Sequence, residues 1–130
     1  MIVDKELAAD LFNRVKQYIP AMINGFKVVG LNDHFRFSKY HPGGKFDVHK
    51  DGFNQDSQGN RSVWTLNIFL NRDFDGGETV FYYDTMQHRF TAKPKRGRGM
   101  LFDSQQYHCG NQVSNGKKYL IRTDVMIRPY

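Results

Sequence analysis

The chain has 130 residues, 39% of them hydrophobic, and carries a formal net charge of +6. A mean hydropathy of −0.65 and the lack of any apolar run near the ~18 residues of a membrane helix exclude a helical membrane protein. The length predicts one domain over residues 1–130 with a single core, and the lone cysteine, Cys109, excludes an intramolecular disulfide framework and fits a reducing compartment.

The first residues, MIVDKELAAD, place acids where a signal peptide carries basic residues, so the expected location is cytoplasmic or otherwise intracellular. A helix is predicted over about 4–19. Asp4 is a suitable N-cap, Glu6 falls in the first turn, Pro20 stops the run, and Leu7, Leu11, Val15 and Tyr18 recur at helical spacing. Ala8, Phe12 and Ile19 widen that apolar face, which suits packing on a sheet.

After Asn24-Gly25 the texture turns to short aromatic and β-branched runs, so a β core is predicted over about 26–127. Strands are expected at 26–31, 34–40, 45–49, 62–71, 78–83, 87–91, 100–103 and 117–127. Phe35 and Phe37 should share one face of their strand, with Arg36 and Ser38 on the other. Pro42-Gly43-Gly44, Asp75-Gly76-Gly77 and Asp84-Thr85-Met86 are predicted turns. The polar stretch 51–61 reads as a mobile loop, and the basic cluster Lys93, Lys95, Arg96 and Arg98 as a solvated hairpin loop. Many short strands divided by turns indicate an antiparallel sandwich or barrel.

One constellation carries chemistry. In an extended segment residues i and i+2 face the same way, so the imidazole of His49 and the carboxylate of Asp51 can converge. His108 follows 57 residues after Asp51 and would complete a two-histidine, one-carboxylate set. That set leaves open coordination positions and suits non-haem Fe(II) oxygenases. A lone His-x-Asp pair is common in surface loops, so the surrounding motifs matter. Tyr40-x-Pro42-Gly43 precedes His49, Leu70-Asn71 ends the long strand, Gly76-Gly77 opens a run to Phe81, and Lys118-Tyr119 begins ten residues after His108.

This ordered set resembles the 2-oxoglutarate/Fe(II) dioxygenases of the prolyl and lysyl hydroxylase type, over roughly residues 34–127. The resemblance implies a double-stranded β-helix (a distorted jelly roll), mainly β, with the N-terminal helix packed on the sheet. It implies His49, Asp51 and His108 as catalytic metal ligands for Fe(II), with 2-oxoglutarate and O2 as co-substrates and ascorbate as a further candidate. A fixed cation should meet the far carboxylate of 2-oxoglutarate: Lys118 matches by spacing, and Arg122 is the rival on the same strand face. Tyr40 is a candidate hydrogen-bond donor to the co-substrate or else a core aromatic. Phe69 departs from relatives that carry a tyrosine there. His34, His41 and His88 lack the ligand spacing, and Cys109 should face away from His108.

The implied reaction is hydroxylation of an unactivated C–H bond with release of succinate and CO2. A protein or peptide side chain, prolyl or lysyl, is the leading substrate class. Arg122, Arg128 and the positive charge keep a nucleic-acid demethylase as the alternative, and a catalytically silent jelly-roll binding module is a rival of a different class. Oligomeric state is not legible from these residues.

Overall fold

The computed structural model describes residues 1–84 and 86–129; Thr85, in one of the expected turns, lies outside the described residues. The chain opens with β1 (Ile2–Val3) and α1 (Lys5–Val15), the latter capped by the Asp4 side chain accepting from the Leu7 amide at 2.9 Å. The α-helix ends at Val15, four residues short of the expected boundary, and a 3₁₀ turn (Lys16–Tyr18) follows. Pro20 biases Ile19 to an extended conformation (φ −115°, ψ 126°). The last turn therefore tightens, with the Ile19 amide donating to the Lys16 carbonyl at 3.1 Å.

Twelve further strands follow: β2 (Met22–Ile23), β3 (Phe26–Leu31), β4 (His34–Tyr40), β5 (Phe46–His49), β6 (Arg61–Phe69), β7 (Phe74–Gly76), β8 (Thr79–Tyr82), β9 (His88–Ala92), β10 (Gly99–Asp103), β11 (Tyr107–Gly110), β12 (Val113–Gly116) and β13 (Lys118–Arg128). β2 and β3 form a hairpin through Asn24-Gly25, both at positive φ (54° and 81°). A two-residue loop of that hand matches the twist of the flanking strands, and Asn-Gly tolerates it.

β13 is the axis of the molecule. It pairs with β6 along one edge, and on the other with β4 and then β3. β10 adds to β6, β1 to β4 and β2 to β3, giving a seven-stranded sheet. A second sheet runs β5-β11-β8-β9, and β7 pairs with β12. Phe81 and Ala92 of the smaller sheet pack with Phe69, Met100, Phe102 and Leu120 of the larger one in a shared core. The outer face of the large sheet takes the helix, where Ala8 packs with Phe35 and Ile121, joined by Leu7, Leu11 and Ile68. The fold is mainly β, a double-stranded β-helix with an N-terminal helix on its sheet, as expected.

Several local expectations shift. β1, β2, β7, β11 and β12 have no counterpart among the predicted strands, because two- to four-residue runs such as VSNG carry too little pattern to register. The pairing therefore starts before residue 26 and ends at Arg128. The long strand expected at 62–71 runs 61–69. Asp75-Gly76 is strand rather than turn, held against β12 by the Val113↔Gly76 and Asn115↔Asp75 pairings. Phe35 is fully buried, whereas Phe37, on the same face, is 52% exposed because it lies outside the helix-covered cluster. The exposed basic cluster is not a hairpin loop: it links β9 of one sheet to β10 of the other.

Candidate metal centre

His49 and His108 are cross-strand partners in the β5–β11 ladder, and their rings lie 4.2 Å apart between centroids. β5 ends at His49, so Asp51 stands just beyond the strand rather than within it. Its amide donates to the Ser104 carbonyl at 2.9 Å, which turns the buried carboxylate inward. Asp51 Oδ1 lies 3.4 Å from His49 Nε2 and 3.3 Å from His108 Nε2. Among the described residues, this is the group of three or more potential ligands whose donor atoms converge, all within 4.8 Å of one another.

The other end of each ligand is also fixed. His49 Nδ1 is 2.6 Å from the Asp47 carbonyl, and His108 Nδ1 is 2.8 Å from the Gln106 carbonyl. A carbonyl can only accept, so each Nδ1 carries a proton and each ring turns its Nε2 to the centre. Thr65 Oγ1 donates to Asp51 Oδ2 at 2.7 Å, which leaves Oδ1 facing the histidines. Burial works to raise the Asp51 carboxyl, but the hydrogen bonds from His108 and Thr65 and the charge of Arg122 outweigh it and hold the group at about 2. Burial also lowers the His49 imidazolium, opposed by the Asp47 carbonyl. An ionised carboxylate and two imidazole Nε2 atoms aimed at one point are donors a divalent cation takes, so the donor set fits a metal.

A cavity of about 90 Å³ opens from these ligands and reaches Lys118. Lys118 is 1% exposed, with Nζ 4.7 Å from the Tyr40 ring centroid and 5.8 Å from that of Phe69. Burial pushes its ammonium down to about 8, against the opposing charges of Glu78 and Cys109. The neighbouring backbone fixes this cation. Asn71 Oδ1 accepts from the Tyr119 amide at 2.9 Å, and Asn71 Nδ2 donates to the Lys117 carbonyl at 2.7 Å. Tyr40 is half-buried in register with Lys118, and burial raises its phenol. Phe69, fully buried, backs the lysine from the core without lining the cavity, and brings no hydroxyl.

Arg122 stands at the metal end. Its Nη1 is 3.6 Å from Asp51 Oδ1 and its Nη2 is 3.4 Å from Asp124 Oδ1. The structure thus brings His49, Asp51, His108, Lys118, Tyr40 and Arg122 to one cavity. His34, His41 and His88 are exposed and outside it. Cys109 faces away from His108, with Sγ 3.8 Å from the Tyr82 hydroxyl and 3.6 Å from Asn111 Oδ1.

Three participants were not anticipated from sequence: Thr65, Asn67 and Asp124. Thr65, Asn67 and Phe69 alternate on one face of β6, and Asp124 lies across from Thr65 on β13. The Asn67 Oδ1 is buried with no hydrogen-bond partner among the described residues, and Asn67 lines the cavity. A polar residue at every second position of an otherwise apolar strand is the signal that could have found the first two.

The far larger cavity, about 960 Å³, lies beyond Arg122 and touches neither His49 nor His108; the convergence of donor atoms, not cavity size, marks the candidate metal centre. No helix of the described residues is long and apolar enough to cross a membrane.

No curated protein matches the sequence significantly. Among solved structures, the viral collagen prolyl hydroxylase of Paramecium bursaria Chlorella virus-1, in its 2OG complex, aligns with 100% of this chain and 77% of its own at 18% identity and a TM-score of 0.66. A Pseudomonas putida prolyl-4-hydroxylase aligns over 89% of this chain and 63% of its own, at 17% identity and a TM-score of 0.65. A Trichoplax adhaerens prolyl hydroxylase, in complex with a hypoxia inducible factor oxygen degradation domain peptide fragment, gives 90% and 53%, 16% identity and a TM-score of 0.68. At these identities the likeness is one of fold. Residues 35–123, well over half of the chain and inclusive of every ligand above, match the family model of the 2OG-Fe(II) oxygenase superfamily, and the chain belongs to that superfamily of Fe(II)- and 2-oxoglutarate-dependent oxidoreductases.

Proposed function

We propose that residues 1–130 form one catalytic domain that hydroxylates an unactivated C–H bond on a prolyl or lysyl side chain of a protein or peptide. The co-product would be succinate with CO2. The observation that carries this reading is a single small cavity with two imidazole Nε2 atoms and a carboxylate at one end and a buried lysine at the other. When bound there, iron with 2-oxoglutarate and O2 supplies the oxidising power. His49, Asp51 and His108 would hold the metal on three sides, and Thr65 keeps the Asp51 carboxylate in its orientation. Lys118 would receive the far carboxylate of 2-oxoglutarate. Arg122 is the weaker choice for that role because it already stands between Asp51 and Asp124. Tyr40 would hold the co-substrate through its hydroxyl, and Phe69 would exclude water from the Lys118 end. The peptide substrate class is supported by the collagen and hypoxia-factor substrates named for the fold neighbours.

The test is an anaerobic absorbance titration with Fe(II) and 2-oxoglutarate in wild type and His108→Ala. A visible charge-transfer band is expected only in wild type and only with both additions. No band in folded wild type sinks the reading. Screening of proline- and lysine-containing peptides for the mass gain of one oxygen then addresses the substrate.

A further inference from the structure

The 960 Å³ groove lies between the start of α1, the β3–β4 turn, the loop 51–61 and β13. Arg122 lines both this groove and the metal cavity, so the two share a wall. Along the sheet the rows are regular. Tyr40 pairs with Lys118, Ser38 with Leu120, and Arg36 with Arg122. Residues alternate in facing along a strand, which puts Arg36 on the Lys118 face, one cross-strand step from the guanidinium beside Asp51.

The charges of the groove are unevenly satisfied. Its acids are occupied: Asp124 is buried and takes Arg122 and the Asn54 amide at 2.8 Å. Asp56 accepts from the Gln58 and Asn60 amides and from Asn60 Nδ2, all at 2.9–3.0 Å. Asp33 lies 3.6 Å from His34 Nε2. Its cations are different. Lys5, Arg36 and Arg128 are exposed, and none is in an ion pair with another described residue. Arg36 stands opposite Arg122, whose guanidinium is taken by Asp51 and Asp124, so those two carboxylates are not free to serve Arg36. The remaining polar lining includes the amides of Asn13, Asn32, Gln55 and Gln58, which offer donors and acceptors in the pattern a peptide backbone uses. Phe12 and His34 are the aromatic rings among its lining residues, fewer than the succession of stacking platforms that single-stranded nucleic acid uses.

We propose that this groove receives an acidic peptide segment flanking the residue to be hydroxylated, with Arg36, Arg128 and Lys5 as its charge readers. The proposal rests on the peptide-hydroxylase reading above and narrows its substrate class. The loop 51–61 frames the groove, pinned to Asp124 through Asn54 and closed by Asp56.

The experiment measures fluorescence anisotropy of labelled short peptides whose central proline or lysine is flanked by acidic, neutral or basic residues. An unstructured oligonucleotide serves as a fourth ligand. Wild type and Arg36→Glu/Arg128→Glu are compared, with melting temperature as the check on folding. The acidic set is expected to bind wild type about tenfold tighter than the basic set, with the gap closing at high salt. The double reversal should invert the order, and such a gain for basic peptides cannot come from unfolding. Equal binding of the sets, an unchanged preference in the double variant, or tighter binding of the oligonucleotide would each overturn the proposal. Peptide binding is read without turnover, so it is decided independently of the Fe(II)/2-oxoglutarate titration. An unselective groove with an intact charge-transfer band leaves the oxygenase standing, and a selective groove without the band leaves a binding module.

Discussion

Lys118 shows a function-linked cost at the scale of one residue. A buried ammonium with no ion-pair partner among the described residues is easier to deprotonate folded than unfolded, since the charges of Glu78 and Cys109 offset its burial only in part. Between about pH 8 and the ordinary 10.5 the unfolded chain therefore holds more protons, and stability rises with pH across that window. Below about pH 8 the full penalty, on the order of 3 kcal/mol, is present. Lys118→Met should therefore raise the melting temperature of the metal-free protein at pH 7 and abolish the further rise that 2-oxoglutarate with Fe(II) gives wild type. Thermal shift with and without co-substrate reads both effects; a less stable variant would contradict the assignment of Lys118 as an unpaired buried cation. Asn67 is the second such residue. Its orphaned Oδ1 should cost ~1 kcal/mol, so Asn67→Leu is expected to hold or raise stability. Weaker 2-oxoglutarate binding, by about tenfold in an anaerobic titration, would mark the amide as a ligand contact, and unchanged binding would mark it as a structural defect only.

At the scale of elements, the short β7–β12 ladder lies behind the lysine, with the Phe74 ring and Lys118 both close to Gly77. Gly76 and Gly77 have φ of +75° and +68°. A Cβ on Gly76 would lie 2.2 Å from the Gln112 carbonyl oxygen, backbone against backbone. Gly76→Ala should therefore cost about 3 kcal/mol in urea unfolding. On Gly77 the added carbon would meet the Phe74 ring at 2.8 Å and Lys118 Cδ at 3.1 Å. Gly77→Ala is expected to displace the lysine and weaken 2-oxoglutarate binding more than it weakens metal binding. Asp4→Ala is the contrast. It removes a helix cap on the opposite face of the large sheet and should cost about 1 kcal/mol with no change in the charge-transfer band.

For the whole molecule, the ligands come from two segments that only the fold joins, so the metal should bind the native state and not the unfolded chain. Fe(II) at a hundred times its dissociation constant should then add about 2.7 kcal/mol to the unfolding free energy. His108→Ala should lose that increment, and a chelator should remove it from wild type without unfolding the protein, whose core does not depend on the site. Calorimetry with and without metal checks this; an equal metal-induced shift in His108→Ala would mean the ion binds elsewhere.

The sequence alone determined the mainly β class and singled out the candidate triad and lysine that the fold brings to one cavity. These depend on local pattern: His49 and Asp51 two residues apart, a fixed interval from His108 to Lys118, and alternation along long strands. What it could not yield is whatever depends on which strands become neighbours. Thr65 beneath Asp51 and Arg122 between two carboxylates need the 51–104 backbone contact that brings Asp51 over the sheet, and the approach of Arg36 to Arg122 and of Arg122 to Asn67 follows from the register of β13 against β4 and β6. Two- to four-residue strands such as β7 and β12 escaped for the same reason, since they exist by pairing rather than by propensity. A residue's chemistry is carried by its own side chain, but its neighbours across a sheet are set by register, and register is decided only when the whole core packs.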